Sequence, residues 1–80
     1  MHYIATFHTH LGAMTFKNRL QAMGDTEAVM MPVPRALSSS CGTCVRFSLA
    51  FDQAAMCDED LERVVREENG VYTTLYENDD

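Results

Sequence analysis

The chain has no tryptophan, only two prolines and four glycines in its 80 residues, and is short of base: six Lys and Arg stand against twelve Asp and Glu, a formal net charge of −6. Each scarcity excludes something. Without clustered Lys and Arg there is no electrostatic footprint for a phosphate backbone, so nucleic acid is not an expected partner. No stretch approaches the roughly 20 apolar residues of a membrane span, so no membrane partner is expected either. The opening Met1-His2-Tyr3-Ile4-Ala5-Thr6 lacks a basic region and a long apolar run; it does not read as a signal peptide, and the expected location is cytoplasmic. Three cysteines are no disulfide framework, and in a reducing compartment they are expected as thiols. No Ser-His-Asp order, phosphate-binding glycine loop or paired catalytic carboxylates can be defended, and no cofactor is expected.

What remains is an ordinary globular composition, 46% hydrophobic, with six methionines that suit an adaptable core. A chain this short makes one domain over residues 1–80 and buries only about 60% of its unfolded surface, so a homodimer is an expectation. Acid is concentrated late, at Asp58, Glu59, Asp60, Glu62, Glu67, Glu68, Glu77, Asp79 and Asp80, while Lys17, Arg19, Arg35 and Arg46 give the middle most of the base. A solvated acidic helix face is the plain reading of the late run.

Residues 2–8 are rich in β-formers and predict a first strand. Thr9 is a candidate cap for a helix over residues 10–23, with Ala13, Phe16, Leu20 and Met23 on one face and Gly24 closing it. Residues 27–33 predict a second strand, placed at a sheet edge or ending there because Pro32 has no backbone donor. A serine-rich loop over 35–42 leads to a third strand over 44–49, with Val45, Phe47 and Leu49 on one face. Residues 50–57 read as a loop or irregular turn. Asp58 then caps a second helix carrying Leu61, Val64 and Val65 inward and ended by Asn69-Gly70, before a fourth strand over 71–76. The order β-α-β-β-α-β predicts an α+β, ferredoxin-like fold: a four-stranded antiparallel sheet, order 4-1-3-2, with both helices on one face.

The chemistry-bearing stretch is Ser38-Ser39-Ser40-Cys41-Gly42-Thr43-Cys44. Thiols three residues apart can attack in turn, pair as a disulfide, or share a soft metal. The predicted connectivity brings this loop to the end where the first strand stops, near His8, Thr9 and His10, where a helix N-terminus or a protonated histidine would favour a thiolate. Ser38, Ser39 and Ser40 offer hydroxyl donors, Gly42 the tight turn, and Arg35 and Arg46 a means of steering an anionic partner. Cys41, in the loop, is the better-placed nucleophile; Cys44, at a strand start, is its assistant. Four readings stay open: thiol chemistry, a metal held by Cys41, Cys44, His8 and His10, small residues of a turn with no chemistry, and an interaction module. The paired-knuckle spacing of zinc sites is missing, so no metal is expected. Cys57 reads as a structural thiol, and the Met30-Met31 pair as core and edge packing.

Pro32-Val33-Pro34-Arg35 followed by Leu37-Ser38-Ser39-Ser40-Cys41-Gly42 resembles the selenium/sulfur (Se/S) carrier protein-like family of small bacterial domains. The resemblance extends over the opening strand ending in Thr6-Phe7-His8, the first helix, and Gly70-Val71-Tyr72; the chain departs from it in residues 50–57, a longer step into the second helix. It implies that Cys41 bears sulfur or selenium as a persulfide or selenide and that Gly42 is the family glycine. The implied role is a carrier or accessory protein, rather than a stand-alone enzyme, with sulfur or selenium donor and acceptor proteins as partners. The alternatives are an interaction module without catalysis and a thiol-disulfide redox sensor.

Overall fold

The computed structural model describes residues 2–37 and 39–78. In chain order its elements are β1 (His2–Phe7), α1 (His10–Ala22), β2 (Val29–Pro32), β3 (Thr43–Phe47), α2 (Gln53–Met56), β4 (Leu61–Glu68) and β5 (Val71–Glu77). The strands form one five-stranded sheet, order β2-β3-β1-β4-β5, antiparallel at every pairing.

The fold is α+β, but it is not the four-stranded 4-1-3-2 sheet under two helices. The strand beside β1 is residues 61–68, expected as a helix, and the strand over 71–77 lies outside it. The only second helix among the described residues is the single turn α2, capped by Asp52, whose carboxylate accepts from the Ala54 N–H at 3.1 Å.

Two physical facts account for the difference. Asn69 and Gly70 both take positive φ, 54° and 79°, the geometry of a two-residue hairpin turn rather than a helix end. The helix-like spacing of Leu61, Val64 and Val65 comes from a bulged strand buried on both sides. Phe7 pairs with Leu61 and Ala5 with Val64, so two residues of β1 oppose three of β4 and reset the alternation. Leu61 and Val64 therefore face one side, and Val65 the other.

The sheet thus has two cores. On the helix side, Tyr3, Ala5, Phe7, Val45, Phe47, Leu61 and Val64 meet Ala13, Phe16 and Leu20 of α1, with Met56 beneath α2. Phe16 lies between Phe7 and Phe47 with ring centroids 5.0 and 5.5 Å away. On the other side Ile4, Cys44 and Val65 are covered by Leu37, brought across by the loop between β2 and β3. That loop is closed at its base by a hydrogen bond from the Val33 N–H to the Gly42 carbonyl, 3.1 Å. β2 is an edge strand, as Pro32 requires. Met23, expected inward, is the C-cap of α1 and exposed.

Asp25, unremarked in the sequence, is 3% exposed. Its carboxylate accepts the Ser48 N–H and Oγ–H (2.8 and 2.9 Å), the Leu49 N–H (3.0 Å) and the Glu27 N–H (3.0 Å), tying the end of β3 to the turn after α1. Burial works to raise its carboxyl, but these four bonds outweigh it and hold the group below the usual carboxylate value.

Candidate functional site

The cysteine loop lies at the end of the sheet where β1 stops and α1 begins. The Ser39 hydroxyl donates to the Phe7 carbonyl at 2.9 Å, fastening the loop to the last residue of β1. The same oxygen accepts the Cys41 N–H at 3.4 Å and lies 3.7 Å from Cys41 Sγ. Cys41 Sγ donates to the Thr43 carbonyl at 3.4 Å. The Cys41 side chain is half-buried at the margin of the helix-side core. Gly42 takes φ 74°, a conformation that side chains strain to reach, and turns the chain into β3.

Glu62 holds this loop from across the sheet end. Its Oε1 accepts the Ser40 N–H at 3.1 Å and its Oε2 the Ser40 Oγ–H at 2.7 Å, while His8 Nδ1 lies 3.4 Å from Oε2. Burial works to raise the Glu62 carboxyl, yet the two hydrogen bonds from Ser40, with the nearby Ser39 hydroxyl and His8, outweigh it and keep the group below the usual carboxylate range. The sequence did not point to Glu62, because a helix over residues 58–69 would have aimed it elsewhere.

Cys44 is in a different environment. It is fully buried in the core of the opposite face, with Sγ 3.8 Å from the Pro32 carbonyl, and burial followed by the charge of Cys41 pushes its thiol up to about 11. All three cysteines are free, and the exposed Cys57 donates to the Tyr76 hydroxyl at 3.2 Å. His10 shares an open groove of about 340 Å³ with Met30, Met31, Pro32, Gly42 and Thr43. Arg46 reaches back along β1 to the His2 ring at 3.0 Å, and Arg35 is exposed in the turn where the Leu37 N–H meets the Pro34 carbonyl. Ser38 lies outside the described residues.

The N-terminus of α1 is already occupied. Thr9 caps it, accepting from the Gly12 N–H at 3.0 Å, and the Asp60 carboxylate accepts the Thr9 N–H (3.1 Å) and Oγ–H (2.8 Å). Gly12 makes room for this carboxylate, since a Cβ there would run into it. The favourable end of the helix dipole therefore serves Asp60 rather than a thiolate. A glycine in the first helical turn was the available signal for that close approach. Among the described residues no group of three or more His, Cys, Asp or Glu is gathered to hold a metal, and no helix is long and apolar enough to cross a membrane.

Comparison with known proteins adds one finding. The sequence model of the family described as "Putative Se/S carrier protein-like" matches residues 2–77. No curated protein and no solved structure matches the chain.

Proposed function

Because the chain belongs to the Se/S carrier protein-like family, we propose that it carries a sulfur or selenium atom on Cys41 between cytoplasmic donor and acceptor proteins. The observation that carries this reading is the contrast between the thiols: Cys41 is half-buried in a loop held by hydroxyl groups, whereas Cys44 is sealed in a core.

In the proposed step the Cys41 thiolate attacks the outer sulfur of a donor persulfide. A new S–S bond forms on Cys41 as the donor thiolate leaves, with no net oxidation. An acceptor nucleophile then takes the outer sulfur and returns Cys41 as a thiolate. Ser39 and Ser40, whose hydroxyl protons go to the Phe7 carbonyl and to Glu62, become donors for the anionic sulfur when the loop shifts; Gly42 gives the loop its turn, and His8, His10 and Arg35 are the basic groups assigned to attract an anionic group. Cys44 can take part as the assisting thiol only after leaving its core; its attack on Cys41 Sγ would release sulfide and leave a Cys41–Cys44 disulfide needing a dithiol reductant.

The test is intact mass after incubation with a cysteine desulfurase and L-cysteine. An adduct of about 32 Da, one sulfur, is expected on the wild type and absent from Cys41→Ser. An unmodified wild type under conditions that load a known acceptor would overturn the reading. The runner-up is a non-catalytic interaction module, favoured by β5, an edge strand whose stretch Val71-Tyr72-Thr73-Thr74-Leu75-Tyr76 has no charge, proline or glycine and exposes Val71 and Leu75. A partner bound equally well by wild type and Cys41→Ser would favour it.

A further inference from the structure

We propose that Glu62 is the positioning residue for Cys41, a clamp that holds the thiol in a protected state and must release Ser40 before the sulfur can react. The role attributed to Cys41 rests on the carrier reading; the clamp itself rests on the geometry of the loop.

Glu62 is aimed by the bulge in β4. The register between β1 and β4 shifts between Thr6, which pairs with Arg63, and Phe7, which pairs with Leu61, so Glu62 is the residue left over. Bulges re-aim side chains in this way. Both of its carboxylate oxygens are taken by Ser40, the residue before Cys41, in charge-assisted bonds of the stronger kind. The charged groups around it are few: His8 faces it from the end of β1, whereas Arg63 is turned to Glu77 of β5 at 3.1 Å.

With Ser40 held, three protons beside the sulfur are already committed. The Ser39 Oγ–H goes to the Phe7 carbonyl, the Cys41 N–H to Ser39 Oγ, and the Cys41 Sγ–H to the Thr43 carbonyl. The sulfur thus faces a carbonyl lone pair that suits a thiol and repels a thiolate. For Cys41 to act as an anion the loop must shift, so that Sγ leaves Thr43 and a hydroxyl or amide can turn its proton toward sulfur. Ser40 adjoins Cys41 in the chain and its bonds to Glu62 tie the loop to β4, so letting it go is a local opening outside the sheet's ladder.

The experiment follows reaction of Cys41 with 4,4′-dithiodipyridine in a Cys57→Ser background, beside amide exchange across the loop and the β1–β4 ladder. Glu62→Ala, which removes both bonds to Ser40, is expected to speed labelling by about a hundredfold, at about tenfold for each charge-assisted hydrogen bond lost. Faster exchange should be confined to Ser40 and Cys41. Glu62→Gln, which keeps one carbonyl oxygen for Ser40, should fall between, and it replaces the alanine variant if that one does not fold. Ser40→Ala, which loses the hydroxyl bond but keeps the backbone one, should speed labelling less, and the double variant should be no faster than Glu62→Ala alone, because Glu62→Ala already removes the bond that Ser40→Ala takes away. Unchanged labelling would overturn the clamp, as would acceleration matched by equal loss of protection in the β1–β4 ladder, or additive effects in the double variant. Failure of persulfide loading with the labelling pattern intact would remove the carrier reading and leave the clamp standing.

Discussion

At the scale of single residues, the same side-chain type does opposite work according to what surrounds it. Cys41 and Cys44 lie three positions apart, yet one borders solvent and the other is sealed beneath Leu37. Their spacing was legible in the sequence; their environments were not, because they depend on which sheet face each residue meets. The carboxylates divide in a similar way. The late acids look like a uniform solvated run, but Glu62 grips the cysteine loop and Asp60 sits on the start of α1. Asp25 and Glu62 both have folded-state values lowered from 3.8 and 4.5, so the stability they contribute is present in full above those values and is lost as pH falls through the folded ones. Replacing Asp25 by Asn is expected to cost about 2–3 kcal/mol at pH 7, because an amide cannot accept all four of its bonds. The same variant should flatten the acid limb of stability against pH. Denaturant midpoints at pH 7 and pH 3 check this; an acid limb as steep as in wild type would exclude Asp25 as a source.

At the scale of elements, the best-read segments were those with their own start and stop signals. Thr9 caps α1, and Ala13, Phe16 and Leu20 face inward at helical spacing. Pro32 marked β2 as an edge through a lack that no tertiary context could repair. Residues 61–68 were misread because a bulge between two buried faces produces spacings of three and four, the same signature as an amphipathic helix. Asn69-Gly70 between two runs containing β-branched residues was the clue to a hairpin. Gly70→Ala offers a direct check. Nothing lies within 4 Å of a Cβ at that position, so the expected loss of about 1 kcal/mol comes from the positive φ alone. A neutral result in chemical unfolding would show that the turn adapts at no cost.

At the scale of the whole molecule, the sheet is a slab with a helix on one face and a loop on the other. No pattern in the sequence announced the second layer, since a serine-rich segment with two nearby prolines reads as a solvent loop. Only Leu37 betrays its purpose, by filling the space over Ile4, Cys44 and Val65. Leu37→Ala is expected to cost about 2 kcal/mol and to render Cys44 reactive to thiol reagents at denaturant concentrations where the chain is still folded. Mass spectrometry of labelled Cys44 decides it: protection equal to wild type would mean that Leu37 is not its cover.

The rung between the Val33 N–H and the Gly42 carbonyl has a further consequence. It closes the β2–β3 hairpin beside the last pair of the ladder, Pro32 with Thr43, so the register of β2 on β3 is fixed at the hairpin's own base. The entropy of a closed loop grows slowly with length, by about 0.6 kcal/mol for each doubling. Residues 34–41 therefore behave as a cassette. Provided that one apolar residue still seals the outer face and one serine still reaches Glu62, a different reactive group can be grafted there without refolding the frame. In evolutionary terms, the scaffold can keep its shape while its chemistry drifts.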